Sequence, residues 1–402
     1  GVYSDSSKKD LSASVTWTSG TPAVASISAA GLATALTAGS TTIMATSGGV
    51  SGSTTLTVKG EYLYATDYAL GHVLQYTIGN DGTLTPMATP FVSAGGKPTR
   101  LAIDPTHHFL YVANFSSGNV SQYTIGATGS LTPMTPATVV AGAGANAVTI
   151  DASGTHAYVP NAQAGTVSQF AIGANGALTP LAPASVAGAN GAAVMAINSA
   201  GTFAYVVNYF GNSISLFSIN AGLLTHVSDT PVTGPPGNTT APLPNSLVID
   251  PTGMYLYTAD SNNNSIGQFS INAGTGALTP LAPNAYVTQG AHSLAILQQG
   301  AMAYVYASNS ATGSVAQFAI NAATGDLGAP IGVFSTAPAG TTSPISVTFD
   351  PTNKFAYAAN EGNQTIAQFL VGASGAFTAQ APATVATGPG SGPVYMLTTT
   401  AY

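Results

Sequence analysis

The chain has 402 residues, 45% hydrophobic and 5% charged, with a net charge of −7 carried against only five Lys and one Arg. That apolar content excludes global disorder. The acidic balance excludes the basic face that a nucleic-acid partner needs, and no run of about 18 apolar residues exists to cross a membrane as a helix. The absence of cysteine removes disulfides, thiol catalysis and Cys-based zinc sites together. The first residue is Gly1 rather than Met, which reads as a processed or truncated piece of a longer product. A surface built from Thr, Ser, Asn and Gly instead of Lys and Glu suits an extracellular or cell-surface protein, the location expected here.

Residues 1–58 come first and differ from the rest. Short β-prone runs at 15–19, 24–28, 31–35, 39–45 and 49–58 are separated by Gly turns, which predicts a small β-sandwich. Trp17, the single tryptophan, is expected to anchor its core. These runs resemble the group 2 bacterial immunoglobulin-like domains of cell-surface adhesins. The resemblance implies two further strands ahead of Tyr3-Ser4-Asp5, and this chain begins at Gly1. Three readings follow: upstream residues missing from the chain, a reduced sheet, or a strand donated by another copy.

From residue 61 onward the chain repeats itself. Tyr followed three residues later by Asn or Asp occurs at Tyr64/Asp67, Tyr111/Asn114, Tyr158/Asn161, Tyr205/Asn208, Tyr257/Asp260, Tyr306/Asn309 and Tyr357/Asn360. The steps between these Tyr residues are 47, 47, 47, 52, 49 and 51. About eleven residues after each Tyr comes a Gln-aromatic pair, from Gln75-Tyr76 to Gln368-Phe369, with Leu216-Phe217 the one departure. A glycine turn follows at Gly82, Gly129, Gly176, Gly222, Gly276, Gly325 and Gly375, and Asp104-Pro105, Asp250-Pro251 and Asp350-Pro351 mark a second turn. Each unit holds four short apolar-alternating runs, for example 111–114, 120–125, 131–140 and 147–150. Four strands per unit and seven units predict an all-β chain: a seven-bladed β-propeller over 61–402 behind the small sandwich of 1–58. Ring closure predicts a mixed first blade, with three strands from 61–92 and an innermost one from 393–400. The repeats resemble the seven-bladed lactonase-type propellers that carry Tyr-Val-Thr-Asn repeats. That resemblance implies the fold strongly and an activity weakly, since it covers sugar-lactone hydrolases, muconate-lactonising enzymes and surface proteins.

Chemistry is sparse along the sequence. The propeller offers Lys97, Arg100 and Lys354, with Lys59 at its entrance, and Glu61, Glu361 and nine Asp. Asp104, Asp250 and Asp350 precede Pro and read as turn formers. Asp67 and Asp260 take the repeat's Asn position and read as blade-stabilising hydrogen-bonders. His72, His107, His108, His156, His226 and His292 form no ligand-spaced pair. His72, His107, His108 and His156 are expected at the surface. Arg100 and His292 depart from the small residues at comparable positions near the start of an inner strand, where a propeller funnel opens. They are the best asymmetric polar candidates. No nucleophile elbow, P-loop, dinucleotide fingerprint or EF-hand occurs. No catalytic, cofactor-binding or metal residue is assigned, and no cofactor is expected.

The resulting expectation is a non-catalytic extracellular structural protein, a subunit of a surface assembly or filament that self-associates by strand donation to the N-terminal domain. Its alternatives are a lactonase-like hydrolase acting at the propeller funnel, which requires His, Arg and Glu converging on one funnel mouth, and an adhesin binding glycans or surface proteins through loops such as 233–244. More than 250 residues separate Arg100 from the next basic residue, Lys354. Trypsin is therefore expected to leave this span whole on a denaturing gel, and rapid cleavage inside it would contradict the reading.

Overall fold

The second strand of each repeat explains the architecture. In Phe109–Asn114 five consecutive residues are buried, whereas the fourth strand of that unit, Leu131–Val140, is mostly exposed. A strand buried on both faces needs a neighbour above and below, which stacked blades supply. In the computed structural model, which describes residues 12, 14–36, 38–235, 237–287, 290–336 and 343–400, seven four-stranded antiparallel sheets follow one another. The first strands of adjacent sheets touch around a ring, so they are innermost. Blade 1 consists of Pro393–Thr400, Glu61–Asp67, His72–Ile78 and Leu84–Ser93, in that order from the hub. The C-terminal strand pairs with Glu61–Asp67 from Pro393↔Asp67 to Thr400↔Glu61 and closes the ring. The innermost strands of blades 2 to 7 are Pro98–Ile103, Thr149–Ile150, Ala192–Ile197, Pro244–Ile249, Ala291–Gln299 and Pro344–Phe349. The single helical element among the described residues is a 3-10 turn, Glu361–Asn363.

Each repeat tyrosine is a rivet between blades. The Tyr111 hydroxyl donates to the Gly176 carbonyl of the next blade at 2.6 Å. The same bond recurs from Tyr64, Tyr158, Tyr205, Tyr257 and Tyr306, and Tyr357 closes the circle onto Gly82 at 2.8 Å. Gly176 has φ +80°, and a Cβ there would sit 2.2 Å from the Phe109 ring, so only glycine fits the turn. The repeat glutamine is a second rivet. Gln122 donates to Pro136 O of its own blade at 3.1 Å and accepts from Leu178 N of the next at 2.8 Å. Leu216 breaks this series at the seam between blades 4 and 5.

The turn aspartates do structural work. Asp104, Asp250 and Asp350 accept the backbone N–H of Phe109, Tyr255 and Phe355 at 2.6, 2.7 and 2.6 Å. Asp67 caps the blade 1 turn by accepting from Ala69, Leu70 and Gly392 N–H. Asp260 instead faces the Thr258 and Ser265 hydroxyls at 2.9 and 3.1 Å, and burial pushes its carboxyl up to about 7.

The N-terminal segment forms a three-stranded sheet from Thr16–Ser19, Gly39–Ser47 and Val50–Val58, and a hairpin of Ala25–Ile27 with Ala33–Ala35. Trp17 is half-buried, packs against Gly31 and donates to Ser12 O at 3.0 Å. Tyr3-Ser4-Asp5, on which the expectation of missing strands rests, lies outside the described residues.

Two stability outcomes follow. Tyr111→Phe orphans the buried Gly176 carbonyl and is expected to cost about 1–3 kcal/mol by urea unfolding. Asp260 holds a proton in the folded state that the unfolded chain releases near 3.8, so its unfavourable contribution grows as pH rises from 3.8 to 7 and then levels. Asp260→Asn removes it, so the melting temperature should rise at pH 8 and change little at pH 4.

Candidate functional site

The funnel mouth is made by a repeated irregularity. In blade 5, Pro244 pairs with Asp260 and Ser246 with Ala259, which leaves Asn245 as the extra residue of a bulge. The same shift isolates His292 between Ala291↔Asn309 and Ser293↔Ser308, Ile345 between Pro344↔Asn360 and Ser346↔Ala359, and Val394 between Pro393↔Asp67 and Tyr395↔Thr66. In blade 2 the shift falls between Pro98↔Asn114 and Leu101↔Val112, spanning Thr99 and Arg100. A bulge re-aims its side chains out of the ladder. Here the re-aimed side chains line a cavity of about 210 Å³ bounded by Tyr68, Thr99, Arg100, Asn146, Asn245, His292, Ile345, Glu361, Val394 and Tyr395.

Three of these groups are ionisable in ways useful to chemistry. Arg100 rises from blade 2, reaches across to blade 5 and donates from Nη2 to Asn245 O at 2.8 Å. Its guanidinium lies over the Tyr395 ring, 5.5 Å from the centroid. No carboxylate lies within 4 Å of it among the described residues. Desolvation lowers its pKa, yet guanidinium stays charged at any ordinary pH. His292 sits beside it. Its Nδ1 is 3.2 Å from Ile345 O, and Asn245 Nδ2 lies over the ring, 3.0 Å from Nε2 and 3.4 Å from Nδ1. Burial, reinforced by the Arg100 charge, lowers its pKa to about 4, so the ring is neutral at pH 7. Glu361 is the one carboxylate on the cavity wall among the described residues, and it is exposed.

Arg100 and His292, singled out in the sequence, are thus brought into one cavity. Glu361, Asn245, Tyr68 and Tyr395 were not singled out. Tyr68 and Glu361 each directly follow the repeat motif's Asp or Asn, and their N–H groups make equivalent bonds to Gly392 O and Ser343 O. Superposing the repeats position by position carries that signal. Lys97 stands at the rim over the Tyr68 ring, 5.4 Å from its centroid.

The other histidines lie away from the cavity. His72 stacks on Phe91, with centroids 4.3 Å apart. His107 Nδ1 is 2.6 Å from the Thr399 hydroxyl, and His108 Nδ1 is 3.0 Å from that of Thr106. His226 Nε2 is 3.1 Å from Asp229. Like His72, His107 and His226, and unlike the exposed His108, His156 is half-buried rather than superficial. It pairs with Asp151 at 2.9 Å and packs on Gly222 where other blades place an aromatic ring on this glycine. Among the described residues, no group of three or more His, Asp or Glu is placed to hold a metal ion.

The sequence profile of the "Lactonase, 7-bladed beta-propeller" family matches residues 21–330 and 244–397. The chain belongs to that family. Solved structures share its propeller fold. A Lactobacillus plantarum protein superposes with TM-score 0.69 at 22% identity, covering 85% of this chain and all of that one. A candidate 6-phosphogluconolactonase of Bacteroides fragilis gives 0.71 at 18%, covering 85% and 98%. The periplasmic gluconolactonase of Pseudomonas aeruginosa gives 0.68 at 16%, covering 86% and 100%. A 63-residue stretch is 48% identical to Ice-binding protein 1 of Shewanella frigidimarina, 16% of this chain but 7% of that protein's length.

Membership of a lactonase family corrects two expectations, that of a non-catalytic structural subunit completed by strand donation and that of a non-enzyme. The physical reason is spatial. The sequence shows Arg100, His292 and Glu361 as isolated residues up to 261 positions apart, and the closed ring of this lactonase-family propeller brings two bulges and the 3-10 turn of Glu361 to one cavity.

The Arg100 charge is one cause of the low His292 pKa. Arg100→Met is therefore expected to move the imidazole titration, followed by NMR, upward from about 4. Because the unfolded ring takes a proton near 6.5, His292 weakens the fold increasingly as pH falls from 6.5 to 4, by about 3 kcal/mol in total. His292→Gln should flatten stability across that window.

Proposed function

We propose that the protein hydrolyses a sugar-type lactone in the propeller funnel. The observation that carries this is the convergence of Arg100, His292 and Glu361 on one cavity of about 210 Å³. The family match supports it, as do the names of the gluconolactonase-type structural neighbours. The cavity is smaller than the roughly 300 Å³ at which drug-sized pockets begin, which suits a compact ring.

Lactone opening requires water to add to the carbonyl carbon, the carbonyl π pair to move onto oxygen, and the tetrahedral adduct to collapse with release of the ring oxygen. The Glu361 carboxylate is the group able to take the proton from the attacking water. The same proton returns to the departing ring oxygen, leaving a hydroxy acid. Arg100 supplies positive charge for the developing oxyanion. In a site walled by protein that charge acts through a lower dielectric than water, and no neighbouring carboxylate neutralises it. Lys97 at the rim is the second cation a phosphorylated lactone would meet.

The finer reading of the N-terminal sheet as an immunoglobulin-like module rests on its short antiparallel strands and the half-buried Trp17.

The test is hydrolysis of glucono-δ-lactone and of its 6-phosphate, measured above the spontaneous rate. The wild type should accelerate at least one of them. Glu361→Gln and Arg100→Met should each reduce kcat/KM by roughly a hundredfold or more. Failure to exceed the spontaneous rate with both lactones, or full activity in both variants, would refute the proposal.

A further inference from the structure

The few cations of this chain stand in two places. Among the described residues they are Lys59, Lys97, Arg100 and Lys354. Lys97 and Arg100 belong to the funnel mouth. Lys59 and Lys354 line a second cavity of about 520 Å³, inside the roughly 300–1,000 Å³ range of small-ligand sites. Lysines present only for solubility would be scattered over the exposed outer strands, and Leu84–Ser93, Leu131–Val140, Leu178–Ala187 and their counterparts carry none.

This second cavity is a cleft between the N-terminal sheet and the propeller, with Leu36, Ala38 and Val58 on one wall and Glu61, Asn80 and Lys354 on the other. Glu61 opens the strand whose far end, Asp67, leads into Tyr68 of the funnel mouth, and it pairs with Ile78 where Asp67 pairs with His72. The two cavities therefore lie at opposite ends of the same strands. The cleft is built into the fold. Only Lys59 and Gly60 join Val50–Val58 to Glu61–Asp67, a Cβ on Gly60 would sit 2.2 Å from the Tyr62 hydroxyl, and Asn80 Nδ2 donates to Leu36 O at 3.3 Å from one wall to the other.

Glu61 is half-buried, and among the described residues its carboxylate accepts no hydrogen bond. Burial raises its pKa, the Asp350 charge adds to this, and Lys354 opposes both. Lys354 forms no ion pair within 4 Å among the described residues. Asp350 and Asp81 are taken up by their own turns, the first accepting from Thr352 and Phe355 N–H at 2.8 and 2.6 Å and the second from Thr83 N–H at 3.0 Å. The cleft thus sets two cationic donors beside two acceptors, the Glu61 carboxylate and the Asn80 amide oxygen. A simple anion would suit the lysines but face Glu61 with like charge. A neutral sugar would suit Glu61 but leave the lysines unused. A molecule that suits both carries a carboxylate and several hydroxyls.

We propose that this cleft is a second binding site, separate from the funnel, that takes a sugar acid, with its carboxylate between Lys59 and Lys354 and its hydroxyls donating to Glu61 and to the Asn80 amide oxygen. A free sugar acid and an acidic residue of a polysaccharide present the same chemistry to these groups. The assignment stands apart from the lactonase reading.

The test uses the full chain with its lysines reductively ¹³C-methylated, which keeps their charge. Each lysine then gives an NMR signal, assigned with Lys59→Gln, Lys97→Gln and Lys354→Gln. D-Galacturonate should shift the Lys59 and Lys354 signals saturably, and D-galactose and acetate should each bind at least about tenfold more weakly. Lys59→Gln and Lys354→Gln should each weaken galacturonate binding by about threefold or more. Tighter binding of trigalacturonate than of the monomer assigns the acid to a polysaccharide, and equal or weaker binding assigns it to a free sugar. A shift confined to Lys97 would place the acid at the funnel mouth and overturn the proposal. So would no shift at all, or binding of galactose or acetate as tight as that of galacturonate. No lactone is turned over in this measurement, so its failure is distinct from failure of the lactonase reading.

Discussion

The tyrosine hydroxyl that reaches the glycine carbonyl of the next blade is the bond on which the rest of this molecule depends. It recurs in all seven blades at 2.5 to 2.9 Å, and every tyrosine that makes it is fully buried. Apolar burial alone would let two blades slide or rotate, because the hydrophobic effect has no direction. A buried phenol without a partner is costly, so each tyrosine fixes the distance and angle to its neighbour. The glycine is the other half of the device, since its positive φ turns the carbonyl toward the phenol and its missing Cβ admits the aromatic ring beside it. Summed around the circle, these contacts set the diameter of the hub and hence the size of the funnel.

A symmetric ring is a poor place for chemistry unless something breaks the symmetry. The framework residues, Tyr, Asn or Asp, Gln and Gly, repeat. The bulge residues do not: Asn245, His292, Ile345 and Val394 hold equivalent positions, and Thr99 and Arg100 fill the corresponding place in blade 2. A bulge sits outside the ladder's pairing, so its side chain can change without disturbing the blade. The fold thereby separates two tasks. Stability is carried by what recurs, and the site is carried by what differs.

Sparse charge has a consequence for that site. With 5% of residues charged, Arg100 needs no screening partner to keep it from neighbouring ions, and it is anchored by a carbonyl and an aromatic ring instead of a carboxylate. A guanidinium held this way keeps its full charge available to a ligand. Burial, reinforced by the same charge, holds His292 neutral. Glu361, on a short 3-10 turn at the mouth, remains hydrated.

The sequence by itself determined the ring. The spacing of Tyr64, Tyr111 and their successors, the glycine turns and the leftover C-terminal strand specify seven blades and their closure, because these residues repeat and a repeat is visible in one dimension. It also exposed Arg100 and His292 as exceptions to the repeat. Only the tertiary structure decided that these two share a cavity with Glu361, that Asn245 joins them, and that His156 is a packing residue and not a surface one. Contacts across the hub join blades 2, 5, 6 and 7, and their side chains meet because a closed ring returns distant segments to one axis. Linear spacing records the order of the blades around that axis but not which side chains the bulges turn toward it.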